Sequence, residues 1–251
     1  MGSIKKAFDL AGKTALVTGG SRGLGLQIAE AFGEQGARIV LSSRKAGDLK
    51  QAQEHLAGLG IKSDWIVADN AKDDDVKRLA DEAINKLGKV DILVNNAGAT
   101  WGASTEDHPI EAWDKVMNLN IRSLFLLSQR IGKLSMIPNN YGRGIGDMQM
   151  IAYHTSKGAV VNFTRALAGD WGRHGITVNA LAPGFFPSKM TKGTLEAVGA
   201  DKLAAGAPLR RIGDQDDLKG AAVLFASDAG KHITGQILAV DGGLTAVLPS
   251  A

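Results

Sequence analysis

The chain of 251 residues carries 29 Lys and Arg against 26 Asp and Glu, a net charge of +3, with 44% hydrophobic residues, 32 Gly and no Cys. These proportions belong to a folded globular chain, and the lack of cysteine excludes a disulfide framework, a thiolate nucleophile and a thiolate metal site. The basic residues are scattered rather than blocked, which argues against nucleic-acid or membrane-surface partners, and no apolar run reaches the roughly 18 residues of a membrane helix.

Residues 1–9 hold two lysines and no apolar core of signal-peptide length, so a soluble, cytoplasmic chain is expected. Short apolar runs rich in β-branched residues then alternate with segments of helical period: a strand at 14–17 and a helix at 23–36, a strand at 38–41 and a helix at 47–59, a strand at 65–67 and a helix at 73–87. A strand at 90–94 follows, then helical stretches from 110 towards 130 and over 151–173, a strand at 176–181, a helix at 214–226 and a last strand at 237–240. Near-continuous apolar strands between helices predict a single α/β domain over 1–251, a doubly wound parallel sheet of Rossmann type with ligands at the carboxyl ends of its strands. Residues 184–211 mix Pro, Gly, Phe and Lys with short helical pieces, the composition of a substrate loop or lid, or of a plain surface excursion.

Directly after the first strand, Thr18-Gly19-Gly20-Ser21-Arg22-Gly23-Leu24-Gly25 opens the first helix. Glycines at 19, 23 and 25 permit a tight turn, close approach of backbone to a pyrophosphate and close packing of helix on strand, while free N–H groups at the helix start face the anion. In this strand-turn-helix setting the segment predicts dinucleotide binding. At the end of the second strand Ser43 stands where an NAD-preferring site places a carboxylate, and Arg44 follows. With Arg22 in reach, two guanidinium groups suit a 2′-phosphate, so NADP(H) is expected and NAD(H) is disfavoured; the alternative is that Arg22 and Arg44 are solvated surface charges.

Tyr153 and Lys157, four apart in a helical stretch, share one helix face. A phenol with a pKa of about 10 exchanges protons poorly at neutral pH, and a nearby ammonium favours its ionised form, so the pair suits a general acid/base. The histidines at 55, 108, 154, 174 and 232 show no metal-ligand spacing, and no metal is expected.

The glycine turn, Asn95-Asn96-Ala97-Gly98, Tyr153-x-x-x-Lys157, the Pro183-Gly184 turn and the segments 233–236 and 240–243 occur in the order that resembles the short-chain dehydrogenase/reductase family, over nearly the whole chain. The resemblance implies that Tyr153 passes a proton to or from the substrate oxygen while hydride moves at the nicotinamide, and that Lys157 also bonds the nicotinamide ribose. It implies a cofactor cleft lined by Gly19, Ser21, Arg22, Gly23, Leu24, Gly25, Ser43, Arg44, Asp69, Asn70, Asn96, Ala97, Gly98, Tyr153, Lys157, Pro183, Gly184, Phe186 and Ser188. Asp69 is alternatively a helix cap, since acidic residues follow at 73–75. Asn120 matches a family asparagine that organises a proton-relay water, or is a buried asparagine capping a helix distortion. Trp101, Phe185 and Met190 are implied around the substrate, with ordinary core packing as the alternative.

Family likeness further implies a 3-oxoacyl reductase or a gluconate or glucose dehydrogenase acting on a small carbonyl or alcohol. Relatives reducing enoyl groups space the tyrosine and lysine further apart. It also implies a homotetramer built from the face 163–171 and the apolar tail 244–248, although the same periodicity fits packing on the sheet.

One element departs from the pattern. Family members carry a fifth strand after a pair like Gly142-Arg143, ending in a serine about a dozen residues before the tyrosine; here 144–152 has neither a β-branched run nor a serine. Thirteen residues before Tyr153 stands Asn140, and the nearest upstream hydroxyl of this kind, Ser135, falls where the family has the end of a helix. A strand and its loop are therefore expected to be missing. Three explanations stand: the protein carries a segment this sequence lacks, the chain is a deletion variant with a damaged site that serves as a nucleotide-binding sensor or scaffold, or 141–150 substitutes with Asn140 as carbonyl donor.

Overall fold

Strand β1 (Thr14–Thr18) is buried along its whole length because it is paired on both edges, with β2 (Arg38–Ser43) on one side and β4 (Ile92–Val94) on the other. The computed structural model describes residues 4–103, 107–131, 135–136 and 151–246. β3 (Ser63–Val67) adds to β2, and all these pairings are parallel, as the near-continuous apolar runs predict. A short helix α1 (Ile4–Ala7) precedes the sheet, and α2 (Gly23–Glu34), α3 (Ala46–Gly58) and α4 (Asp73–Leu87) make the crossovers. The doubly wound arrangement follows from two apolar clusters, one on each face. Ile28, Phe32, Leu41 and Leu49 lie in one, joined by Leu218 and Phe225; Leu16, Val40, Leu79, Leu93 and Leu127 lie in the other.

Helix α4 shows how the sequence sets its own limits. Three aspartates occupy its first turn and Lys86 its last, which suits the helix dipole, and Gly88 at φ +81° ends it in the left-handed region. Val76, Leu79, Ala80, Ala83 and Leu87 recur at helical spacing and are buried.

The stretch expected as one helix from 110 is three pieces: α5 (Ile110–Met117), a π-helical turn (Asn118–Arg122) and α6 (Ser123–Ile131). Arg122 forks onto Asp73 at 2.6 and 3.0 Å and Arg130 onto Asp81 at 2.6 and 2.9 Å, fastening this segment to α4. Those guanidinium groups hold both carboxyls below the usual carboxylate range.

The strand expected after Gly142-Arg143 falls outside the described residues, and the edge of β4 is paired by an earlier segment. Ser135–Met136, placed by the sequence reading at a helix end, forms a parallel strand β5 against Ile92 and Leu93. The outer edge of β4 would otherwise leave buried backbone groups unpaired, and α6 ends early enough for the chain to return there. Asn140 and 142–150 lie outside the described residues. After α7 (Ile151–Gly172), β6 (Ala180–Pro183) pairs with β7 (Ile237–Val240) in a separate parallel ladder. Among the described residues the strands pair in the orders β3-β2-β1-β4-β5 and β6-β7. Between them in sequence run α8 (Lys192–Val198), α9 (Ala200–Ala205) and α10 (Lys219–Ala226), the last shorter than the expected 214–226. No described helix is long and apolar enough to cross a membrane.

Candidate active site

The glycine turn is built around Thr18 at the end of β1. Its hydroxyl donates to Val94 O at 3.1 Å and accepts from the N–H groups of Asn96 and Ala97 at 3.0 and 3.1 Å, joining the ends of β1 and β4. Asn96 returns the contact: its Nδ2 donates to Thr18 O at 3.0 Å and to Gly19 O at 3.1 Å. Gly19 has φ +63°, and a Cβ there would stand 2.8 Å from Asn96 Nδ2, so both conformation and space require glycine. Gly25 packs as tightly against Asn96 and Gly19 O, and Gly23 at φ +56° sets the first turn of α2 beneath Ser188. Asn96 therefore braces the phosphate turn. Ser21 is half-buried beside it, and Leu24 leans on the core.

At the carboxyl end of β2, Ser43 Oγ is buried without a hydrogen-bond partner, and Arg44 is exposed with no ion pair among the described residues. Arg22 is exposed and lies 3.5 Å from Asp48 Oδ2 in the first turn of α3. Asp69 does not cap α4, whose first turn has no side-chain cap; its Oδ1 accepts from Ala71 N at 3.1 Å, and Asp75 accepts from Asp69 N at 2.8 Å. Asn70 is buried beside this turn.

From Asn96 the chain runs through Ala97 and Gly98 to Ala99, which is clasped by Asn120: Asn120 Oδ1 accepts from Ala99 N at 2.9 Å, and Nδ2 donates to Ala99 O at 3.0 Å. Asn120 sits buried in the π-helical turn, whereas Asn118 is exposed. Its Nδ2 also donates to Ser156 Oγ at 3.0 Å, and Ser156 donates to Tyr153 O at 2.8 Å. Ser156, which the sequence reading passed over, is completely buried and links Asn120 to the helix bearing Tyr153. It lies three residues from Tyr153, so the helical period alone placed it on that face.

Tyr153 and Lys157 are both buried, with Lys157 Nζ 5.3 Å from the centre of the Tyr153 ring. Gly98 leaves room for the ammonium, which would stand 4.0 Å from a Cβ there. Burial lowers Lys157 from 10.5 to about 8, because desolvation disfavours the charged form.

Beyond β6, Gly184 meets Asp241 so closely that a Cβ would stand 2.8 Å from its Cα. Phe185 is half-buried, and Phe186 is a core side chain under Gly213 that anchors the loop. Thr191 ties the loop by donating to Phe186 O at 2.6 Å and accepting from Ser188 N at 2.9 Å. Trp101 and Met190 are exposed on the two loops. Pro183, buried, ends β6.

A family model described as enoyl-(acyl carrier protein) reductase matches residues 19–245. The gluconate 5-dehydrogenase of Gluconobacter oxydans (strain 621H) is 38% identical over 251 residues, spanning 96% of this chain and 98% of that protein. Among solved structures, a short-chain type dehydrogenase/reductase from Mycobacterium marinum superposes with a TM-score of 0.92 at 30% identity, covering 98% of this chain and 100% of that one. A gluconate 5-dehydrogenase from Burkholderia cenocepacia J2315, solved with NADP and tartrate, gives 0.90 at 32% identity with the same coverage.

Proposed function

The chain belongs to the short-chain dehydrogenase/reductase family, and from that premise we propose that it is an NADP(H)-dependent oxidoreductase interconverting a carbonyl group and a secondary alcohol, with Tyr153 as acid and base. The observation that carries this reading is the buried Lys157 ammonium set 5.3 Å from the Tyr153 ring, on the loop side where Asn96 braces the glycine turn.

The residues fit the cofactor. Ser43 presents a buried hydroxyl without a partner among the described residues where a ribose 2′-phosphate is read, Arg44 stands exposed beside it, and the glycine turn, with Gly19 and Gly23 at positive φ, opens α2 in the manner that suits a pyrophosphate. NADP(H), when bound, supplies or accepts the hydride. Tyr153 Oη holds the proton that the substrate oxygen takes on reduction and accepts it back on oxidation. Lys157 lowers the cost of the tyrosinate. Asn120, with both amide hydrogens and one carbonyl lone pair engaged, orders the loop from Asn96 to Ala99 against the Tyr153 helix. A buried side chain so fully bonded fixes geometry rather than exchanging protons itself. Trp101, Phe185 and Met190, on loops flanking the strand ends, supply an apolar wall for the substrate.

The test is initial-rate measurement of NADP⁺ reduction with gluconate and NADPH oxidation with simple ketones, 3-oxoacyl thioesters and an enoyl thioester. Turnover is expected on a carbonyl or alcohol substrate and none on the enoyl thioester, since tyrosine and lysine four residues apart serve a carbonyl oxygen. NADPH binding with no turnover on any of them would favour the nucleotide-binding sensor instead.

We also propose self-association into a homotetramer through the α6–α7 face. Phe125 is exposed there, its ring 6.4 Å from that of Phe163 in an edge-to-face contact, and both line an apolar groove with Leu167, Trp171 and Ile176. Light scattering on the purified chain is expected to give four times the monomer mass, and Phe125→Glu to give a smaller species; an unchanged mass for the variant would rule this face out.

A further inference from the structure

We propose that Asp48 governs how strongly this chain prefers a 2′-phosphorylated dinucleotide, by competing with the phosphate for Arg22. The inference rests on the NADP(H) reading above and concerns a residue that reading does not use. Asp48 lies in the first turn of α3, four residues beyond Arg44, and so borders the end of β2 where Ser43 keeps an unpartnered hydroxyl. Arg22 leaves the glycine turn in extended backbone at φ −172° and crosses to this edge, where its Nη1 stands 3.5 Å from Asp48 Oδ2.

The surroundings make Asp48 the natural partner of that guanidinium. On its other side Arg22 shares a cleft with Lys189 and Lys192, which repel it, while Glu196 in the same cleft lies 3.7 Å from Lys192. The Arg22–Asp48 contact is single rather than forked, and both side chains are substantially exposed, so it is a weak pair. A phosphate carrying nearly two charges and three acceptor oxygens is the stronger ligand for a guanidinium and takes Arg22 from the carboxylate. Asp48 nevertheless charges that phosphate twice: its pair with Arg22 must be broken, and the released carboxylate stays beside a dianion. A dinucleotide with a bare 2′-hydroxyl meets neither cost. Asp48 is thus a positioning residue that acts through Arg22 and narrows the gap between the two cofactors.

The experiment is fluorescence titration of NADPH and NADH into the full-length wild type, Asp48→Asn, Arg22→Ala and the double variant. Asp48→Asn is expected to tighten NADPH by about two- to fivefold, the range of an exposed ion pair, with NADH unchanged. In the Arg22→Ala background the gain should shrink, since the contact to be broken is gone and only the repulsion between carboxylate and phosphate remains. An unaltered NADPH/NADH ratio in Asp48→Asn, a loss of NADPH affinity, or a gain undiminished without Arg22 would each overturn the proposal. Asp48→Ser, uncharged and suited to a helix start, serves if the asparagine variant does not fold. A wild type that binds NADPH no tighter than NADH would defeat the NADP(H) reading itself, whereas a clear wild-type preference with no response to Asp48→Asn would defeat this inference alone.

Discussion

Tyr153→Phe is expected to lower kcat by about 10²- to 10⁴-fold, the range for loss of a positioned general acid/base, while the dissociation constant for NADPH barely changes. The separation follows from where the side chain sits. Tyr153 is buried with its ring beside the Lys157 ammonium, and phenylalanine keeps that ring while removing only the oxygen that carries the proton. The glycine turn and the end of β2, which are proposed to hold the phosphates, lie on other elements, so cofactor affinity should follow only weakly. Initial rates and NADPH fluorescence titration on the same preparation check both halves; a variant retaining near wild-type turnover would remove Tyr153 from the chemistry.

Lys157→Met is expected to abolish turnover and yet raise the stability of the protein. The wild-type side chain is almost wholly buried, and its fall from 10.5 to about 8 means that the fold disfavours the ammonium form. Such a drop corresponds to roughly 3 kcal/mol at neutral pH, an upper bound for what removal of the charge returns. Methionine fills similar volume without a charge, and a net gain of about 1–3 kcal/mol in urea denaturation at pH 7 is anticipated. The pH dependence identifies the cause. Below pH 8 the lysine is charged in both folded and unfolded chains and the cost is fully present. Between about pH 8 and 10.5 the unfolded chain holds the proton and the folded chain does not, so wild-type stability rises with pH and the gap to the variant closes. A gap constant across that window would mean that the gain is packing rather than charge.

The parallel architecture was legible because its signals are local. Strands such as Thr14–Thr18, buried on both faces, must be apolar runs, and helices such as Asp73–Leu87 carry their periodicity and end signals in their own residues. β5 was not, because Ser-Met has no alternation to read and is a strand only because β4 offers an edge. The π-helical turn was hidden for a related reason: the apolar period from 110 to 131 runs on across it, while the turn is held by Asn120 and Arg122 through partners 21 and 49 residues away. The same distance in sequence concealed the Arg22–Asp48 pair and the bracing role of Asn96, both made by side chains that meet only after the strands are aligned. Glycine positions and the Tyr153–Lys157 spacing could be named at once, since the constraint on each lies within one turn of chain.

The placing of the two turns has a thermodynamic side. The β6–β7 ladder packs into the same apolar clusters as the larger one, with Leu181 in one and Val178, just before β6, in the other. Strands 1 to 4 carry the glycine turn, whereas the Pro183-Gly184 turn and the loop with Ser188 are mounted on the smaller piece. A dinucleotide held, as proposed, by both turns binds only the chain that has them in place, so it adds to the stability of the fold by mass action. The cofactor concentration around the protein then sets how much stability the folded chain gains.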